Sequence, residues 1–272
     1  MQPQGTKTPL AWQPVTPQGV AAFAQASLGR LLLVQFAVAL LAAAVVVWFV
    51  RTNWFPVINE GLRHMPEQGQ IRAQQLEWPG DSPATLSENR FLAITVDLKH
   101  QGQARSPAHL QAEFGEGSLK ILSLFGFWEG RYSRQWRIAF NRQELQAWWG
   151  AWAPPLLAIT AIGVIAILML SWSVLGLLYG PAAWLVAFFT DRELTFRGSL
   201  RLAGAALMPG ALLFIGTILS YGLGFVDLVG FLILAAAHII VSWIYVLVSP
   251  RFLPRCAEVM PLKENPFKSK ES

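Results

Sequence analysis

Hydrophobic positions in this chain gather into runs far longer than a soluble helix needs, separated by one stretch of ordinary mixed polarity. The first run, Leu31 to Val50, has 20 residues, and its one strongly polar member is Gln35. At about 1.5 Å per residue it reaches about 30 Å, the thickness of a hydrocarbon layer. Arg30 and Arg51 bracket it, and Trp48 and Trp54 stand at one end as interfacial aromatics would. A cleaved signal peptide would carry a shorter apolar core of about 7–15 residues and a small-x-small site. This run instead ends Val-Val-Val-Trp-Phe-Val-Arg, which predicts an uncleaved anchor.

A second region, Gly150 to Thr190, carries no charge at all. As a single helix it would be about 60 Å long, roughly twice what a bilayer needs. The break signal within it is Gly180-Pro181. The pattern therefore predicts a helix over about 155–179 and a short interfacial segment over 181–190 that carries Trp184. Two further spans are predicted at about 202–221 and 228–248. The joint between them, Gly222-Leu-Gly-Phe-Val-Asp227, is a tight hairpin without Lys or Arg.

Residues 51–150 read differently. Asn53 to Met65 continues the first span as a helix across Pro56, and alternating or β-rich runs follow. These are Gln70–Trp78, Arg90–Leu98, His109–Phe114, Leu119–Phe127 and Gln135–Phe140, with turn clusters at 79–83 and 99–102. Asn141-Arg-Gln-Glu144 is a helix start with Asn141 as its cap, and the helix it opens carries Trp148, Trp149 and Trp152. The expected fold is thus an integral membrane α-helical protein of about four transmembrane helices. A small extracytoplasmic α+β domain, rich in β-structure, is inserted between helices 1 and 2. Residues 1–30 and 251–272 form the flanking tails, and 151–250 the membrane bundle.

Composition strengthens that class. The 272 residues are 54% hydrophobic and only 14% charged, with a mean hydropathy of +0.41; a soluble domain averages about 25% charged. The net charge of +5 invites a nucleic-acid partner, but its distribution argues against one. From Arg51 to Trp149 there are 11 Lys/Arg and 10 Asp/Glu, so that region is nearly neutral. The surplus lies in short segments beside the apolar runs: Lys7, Arg30, Arg192, Arg197, Arg201, Arg251, Arg255, Lys263, Lys268 and Lys270. With four spans, all ten fall on one side, which predicts both termini in the cytoplasm and 51–150 outside it. Arg51, Arg63, Arg137 and Arg142 weigh locally against that orientation. A lone cysteine, Cys256, rules out an intramolecular disulfide, so the outer domain must hold together by packing.

Signatures of chemistry are sparse. The sequence has no GxxxxGK(S/T) phosphate loop, no HExxH and no GxSxG, and the histidines are not at metal-ligand spacing. No cofactor is implied. Asp97, His100 and His109 are candidates for a metal if they meet in space; the plainer expectation is two solvated loop histidines and a strand-end aspartate. Glu113 and Glu116 flank Gly115 and read as a charged turn. Phe125, Phe127, Trp128, Tyr132 and Trp136 interleave with Glu129, Arg131, Arg134 and Arg137. Of these, Trp128, Arg131, Arg134, Trp136 and Arg137 are a candidate ligand surface for a sugar ring or an anionic envelope polymer. The plainer expectation is a sheet core with a membrane-facing aromatic edge. In the last span His238, Ser242 and Tyr245 fall on one helix face, a candidate intramembrane polar site. Gly216, Ser220 and Gly224 repeat every four residues, a spacing suited to close helix packing.

Ser27-Leu-Gly-Arg30, the strand Leu92-Ala-Ile-Thr-Val-Asp97, Asn141-Arg-Gln-Glu-Leu145 and the stretch Asp191–Arg201 leading to Ala205-Ala-Leu-Met-Pro209 carry a resemblance of layout. By these the chain resembles a family of bacterial polytopic membrane proteins of unknown function. Some of its members bear a maltodextrin-utilisation label, and the family is distantly similar to Yip-type membrane proteins. The resemblance implies an anchor, an extracytoplasmic β-rich domain and a membrane bundle, and it supplies no catalytic residues. The proline-rich stretch Gln2 to Gln18 and the heavy Trp content depart from the family pattern. The expected function is that of a non-enzymatic envelope protein of the bacterial inner membrane. Its outer domain senses or binds, and its bundle anchors or assembles with other membrane proteins or further copies. A transport accessory or small transporter is the first alternative, and an enzyme acting on envelope polymers the second.

Overall fold

The structure, a computed structural model, describes residues 12–256. Lys7, Lys263, Lys268, Lys270 and most of the proline-rich stretch lie outside the described residues. The helices are α1 (Pro17–Ala22), α2 (Leu28–Phe49), α3 (Phe55–Arg63), α4 (Arg142–Phe189), α5 (Phe196–Gly222) and α6 (Leu228–Val248). A π-helical segment, Val50–Trp54, joins α2 to α3, and a 3-10 turn, Ser249–Phe252, follows α6. Eight strands lie between α3 and α4: β1 (Gln70–Arg72), β2 (Gln75–Glu77), β3 (Ala84–Glu88), β4 (Leu92–Val96), β5 (Leu110–Phe114), β6 (Ser118–Ser123), β7 (Gly126–Arg131) and β8 (Arg137–Ala139). Among the described residues, four helical stretches are long and apolar enough to cross a membrane: Leu28–Arg63, Arg142–Phe189, Phe196–Gly222 and Leu228–Phe252.

The chain forms two compact units. Among the described residues, one comprises 12–38, 168–214 and 235–256, the other 39–167 and 215–234. In the first, the apolar core gathers Val20, Phe23, Leu31, Ala183, Leu202, Ala205, Ala206 and Val246. The segment before the first span is therefore packed chain, with α1 capped by the Thr16 hydroxyl at Gly19 N (3.1 Å). Gln35, the polar exception in the first apolar run, donates to the Gly204 carbonyl of α5 at 3.3 Å, which satisfies it in a site 2% exposed.

The expected break at Gly180-Pro181 is absent: α4 runs unbroken for 48 residues. A proline removes one N–H donor from the helix, and the remaining backbone groups here stay helical. Gly180 serves packing instead. A Cβ there would sit 2.4 Å from Leu200 Cδ2, and one at Gly176 would lie 3.6 Å from the Gly204 backbone. Gly176, Gly180, Ala183 and Ala187 are all buried, so they form the small-residue stripe of this unit.

In the second unit the helix widens at Val50–Trp54, just ahead of Pro56. Proline removes a donor and crowds the preceding turn, and a π turn absorbs both effects. The carbonyls of Trp48 and Phe49 receive Thr52 Oγ1 (2.8 Å) and Asn53 Nδ2 (3.3 Å). Two sheets follow. One has order β2-β1-β8 and is antiparallel; the other has order β3-β4-β5-β6-β7, with β4 and β5 parallel and the remaining neighbours antiparallel. The expected strand Gln70–Trp78 is split by a two-residue hairpin turn at Ala73 and Gln74, both at positive φ (49° and 72°). Met65, Ile71, Leu76, Leu86, Val96, Tyr132 and Phe140 form the domain core. The Asn141 cap is present, its Oδ1 accepting from Glu144 N at 3.0 Å.

Candidate functional site

One face of the five-stranded sheet carries a continuous chain of polar side chains. Gln111 and Glu113 sit two apart on β5, so they share a face, and both are 3% exposed. The β4–β5 connection folds over them. Gln111 Nε2 reaches Thr95 Oγ1 and the Ala104 carbonyl, each at 2.9 Å, and its Oε1 accepts from Ser106 N at 3.1 Å. Asp97 Oδ2 accepts from Gly102 N at 2.9 Å. His100, at the start of that connection, lays its ring over Gly115, where a Cβ would meet Nε2 at 2.0 Å.

From His100 the chain runs both ways. Nδ1 lies 2.6 Å from Glu113 Oε1 and Nε2 lies 3.0 Å from Ser118 Oγ; the Ser118 hydroxyl donates to Glu129 Oε1 at 2.7 Å. Serine, histidine and carboxylate at these distances have the spacing of a hydrolytic triad. The proton directions differ from one. Ser118 gives its proton to Glu129, so its oxygen is the acceptor toward the ring. Ser118 is also 5% exposed. This arrangement clamps the β4–β5 connection to the sheet. The hydrogen bond from Ser118 holds the exposed Glu129 carboxyl below its ordinary range, against a smaller opposing desolvation. Tyr132, buried beside the clamp, donates to the Gly115 carbonyl at 3.1 Å, and burial pushes its phenol up.

Two expectations are thereby corrected. His100 is mostly buried and bonded rather than a solvated loop residue, and Glu113 belongs to a strand interior rather than a charged turn. His109 lies elsewhere, stacked on Tyr221 at 5.6 Å and hydrogen-bonded to its hydroxyl. Burial holds the His109 imidazole below its ordinary value, helped by nearby Arg90 and opposed by Asp227. Asp97, His100 and His109 therefore do not converge. Among the described residues no group of three or more His, Cys, Asp or Glu is placed to hold a metal ion.

The candidate ligand surface divides. Trp128 is exposed on β7 and lies over Gly130, where a Cβ would meet its ring at 2.4 Å. Arg131 ends β7, Arg134 Nε donates to Gln74 Oε1 at 3.1 Å, and the Trp136 ring lies 6.5 Å from Tyr132. Arg137, on β8, is one wall of a groove of about 820 Å³. Glu67, Gln70, Glu77, Trp78 and Asn141 line it as well, whereas Trp128, Arg131, Arg134 and Trp136 do not. Sequence reasoning missed Trp78 and Glu67 here, because the three-stranded sheet that pairs β1 with β8 joins residues more than sixty positions apart.

In the last span the polar face is absorbed by packing. His238 Nδ1 bonds to the Ala235 carbonyl and its ring stacks on Phe214 at 4.8 Å. Ser242 Oγ donates to the His238 carbonyl at 3.0 Å, and Tyr245 Oη donates to the Val15 carbonyl at 2.6 Å. Gly210 permits this approach, since a Cβ there would meet Ser242 Oγ at 2.2 Å. Gly216, Ser220 and Gly224 do not form the expected packing face. Gly216 is exposed with open space around it, and Gly224 lies past the end of α5 at φ +82°, where glycine permits the turn.

Compared with protein-family models, curated proteins and solved structures, the chain matches none.

Proposed function

We propose that this chain is a non-enzymatic membrane protein of the bacterial envelope. Its four long apolar helices anchor it in the inner membrane, and its outer domain, 51–150, binds a ligand or partner. The observation that carries the binding role is the groove at the end of the β2-β1-β8 sheet, lined by Gln70, Glu77 and Arg137 from its three strands. It offers one flat aromatic, Trp78, one guanidinium fork, Arg137, and carboxyl and amide groups at Glu67, Gln68, Gln70 and Asn141. A concave site with an aromatic wall and a few convergent polar groups suits an extended polar ligand. The basic residues gathered beside the spans favour cytoplasmic termini. The layout resemblance drawn from Ser27–Arg30 and Asp191–Arg201 agrees with this architecture.

A photo-crosslinking amino acid at Arg137, used in native membranes, tests the binding role. The expected result is a discrete adduct that Trp78→Ala abolishes. Absence of any adduct, together with equal hydrogen exchange of β1, β2 and β8 before and after purification, would overturn it.

A further inference from the structure

The register of the five-stranded sheet fixes which residues share each of its ends. Leu92 pairs with Leu110, Leu110 with Ser123, and Ser123 with Gly126. The β6–β7 turn therefore lies level with the starts of β4 and β5. That end of the sheet meets the turn between α5 and α6: Arg90 donates to the Val226 carbonyl, Phe91 packs edge-on to Tyr221 at 5.0 Å, and His109 stacks on the same ring. Leu122 and Leu124 share with Leu228, the first residue of α6, the lining of a cavity of about 270 Å³. The tip of the hairpin is thus beside the end of a membrane-length helix.

Its composition is unlike that of a solvated turn. Ile121 to Trp128 contains no charged residue, and the charges begin with Lys120 opposite Glu129. Leu124, Phe125, Phe127 and Trp128 are 62%, 82%, 67% and 60% exposed. Leu223, Phe225 and Val229 of the neighbouring helical turn are exposed too. A contiguous apolar patch of this kind marks an interaction surface. The turn closes on itself, with Phe125 N donating to Ser123 Oγ at 3.3 Å and Ser123 Oγ to the Gly126 carbonyl at 3.2 Å. The tip thus presents large apolar side chains on a closed turn beside the start of α6, a combination that a fluid apolar phase accepts.

We propose that the β6–β7 hairpin is a lipid-contacting finger. Leu124, Phe125 and Phe127 enter the outer boundary of the acyl layer beside the α5–α6 turn, and Trp128 lies at headgroup depth. The inference rests on the reading of the long apolar helices as membrane spans. It adds to that reading a second membrane contact, one that fixes the tilt of the outer domain against the bilayer.

Single labels separate the two claims. On a Cys256→Ser background, Phe125→Cys, Phe127→Cys, Ile162→Cys and Glu116→Cys each take an environment-sensitive fluorophore. The proteins are reconstituted into phosphatidylethanolamine–phosphatidylglycerol vesicles carrying acyl-chain nitroxides. Ile162 is an exposed position of α4, and Glu116 lies at the opposite end of the sheet, about 13 Å along the strands. The expected result is loss of emission at positions 125, 127 and 162 and none at 116. Loss at 162 without loss at 125 and 127 would overturn the finger while leaving the spans standing. A blue-shifted but unquenched label at 125 would do the same, since it would mean a protein occupant, a partner or a second copy. No loss at 162 would remove the membrane reading and the finger with it.

Discussion

The two ends of the five-stranded sheet reverse the usual distribution of side chains. At the end marked by Ser118 and Glu129, polar residues are inside: Glu113, Ser118 and most of His100 are out of water. At the other end, Phe125 and Phe127 are outside. Each departure follows from what the neighbouring chain supplies. Burial of a charge is tolerated when every lone pair has a donor, and the β4–β5 connection brings those donors. Exposed aromatics in a contiguous patch mark an interaction surface, and the hairpin tip stands next to the start of α6. The polar end therefore depends on intramolecular pairing, and the aromatic end does not.

The largest test of that contrast removes a partner from the polar end. Glu113→Ala leaves His100 Nδ1 without its 2.6 Å partner in a buried site, and leaving a buried polar group unsatisfied costs about 1–3 kcal/mol, on top of the cavity that the lost side chain leaves. Denaturant unfolding of the purified protein, followed by hydrogen exchange on β4 and β5, measures it. A loss near zero would mean that the clamp is not what secures the connection. Gly115→Ala probes the same clamp from the backbone side. Its Cβ would fall 2.0 Å from His100 Nε2, so the ring must move away from Ser118. Overpacking of this kind costs about 1–3 kcal/mol. The imidazole signals of His100 should shift in NMR while those of His109 stay in place.

How far the sequence reveals this arrangement differs between the two ends. The long apolar helices are legible because a run such as Leu228–Val248 shows its length and apolar character without tertiary information. The polar clamp is not legible. Alternation along Leu110-Gln-Ala-Glu-Phe114 suggests the apolar residues as the inward set, whereas Gln111 and Glu113 are the buried ones. Alternation separates two faces but cannot say which of them a later segment covers. The cover comes from residues 97–109, whose fold over the sheet no local pattern announces. Strand β3 escaped notice for a related reason: Ala-Thr-Leu-Ser-Glu has one inward residue, Leu86, and is defined by pairing with β4.

Small-residue spacing shows the same limit in the helices. Gly216, Ser220 and Gly224 have the right period, as do Gly176 and Gly180, yet only the second pair is in close contact with another helix. Period identifies a face, and the partner decides whether it is used. Gly180-Pro181 misled for a further reason. Its turn signal is local, whereas the packing of Gly180 against Leu200 of α5 is not.

A smaller effect should appear on acidification, at the aromatic end. Burial and Arg90 hold the His109 imidazole below its ordinary value, so the fold prefers the neutral ring. Stability from this residue is then complete above the unfolded value of about 6.5 and declines as pH falls through it. His109→Phe keeps a ring against Tyr221 and should flatten the difference in unfolding midpoint between neutral and mildly acidic solution. If both proteins respond equally to pH, His109 is not the group responsible.

The smallest expected change is the one that most sharpens the contrast. Phe125→Ser removes an apolar side chain that touches little of the fold, since Phe125 is 82% exposed. An exposed substitution of this kind alters folding stability by at most about 0.5 kcal/mol. Exchange rates of the β5 and β6 amides in detergent should therefore match those of the parent protein. A loss of 2 kcal/mol or more, by the same reckoning of what surface substitutions cost, about fourfold too large for one, would place Phe125 within the packed structure. The aromatic end would then be stabilised from within, as the polar end is, and the contrast between them would dissolve. Unchanged exchange would instead leave the aromatics with no role in holding the sheet together, so their reason for being there lies in what they touch outside it.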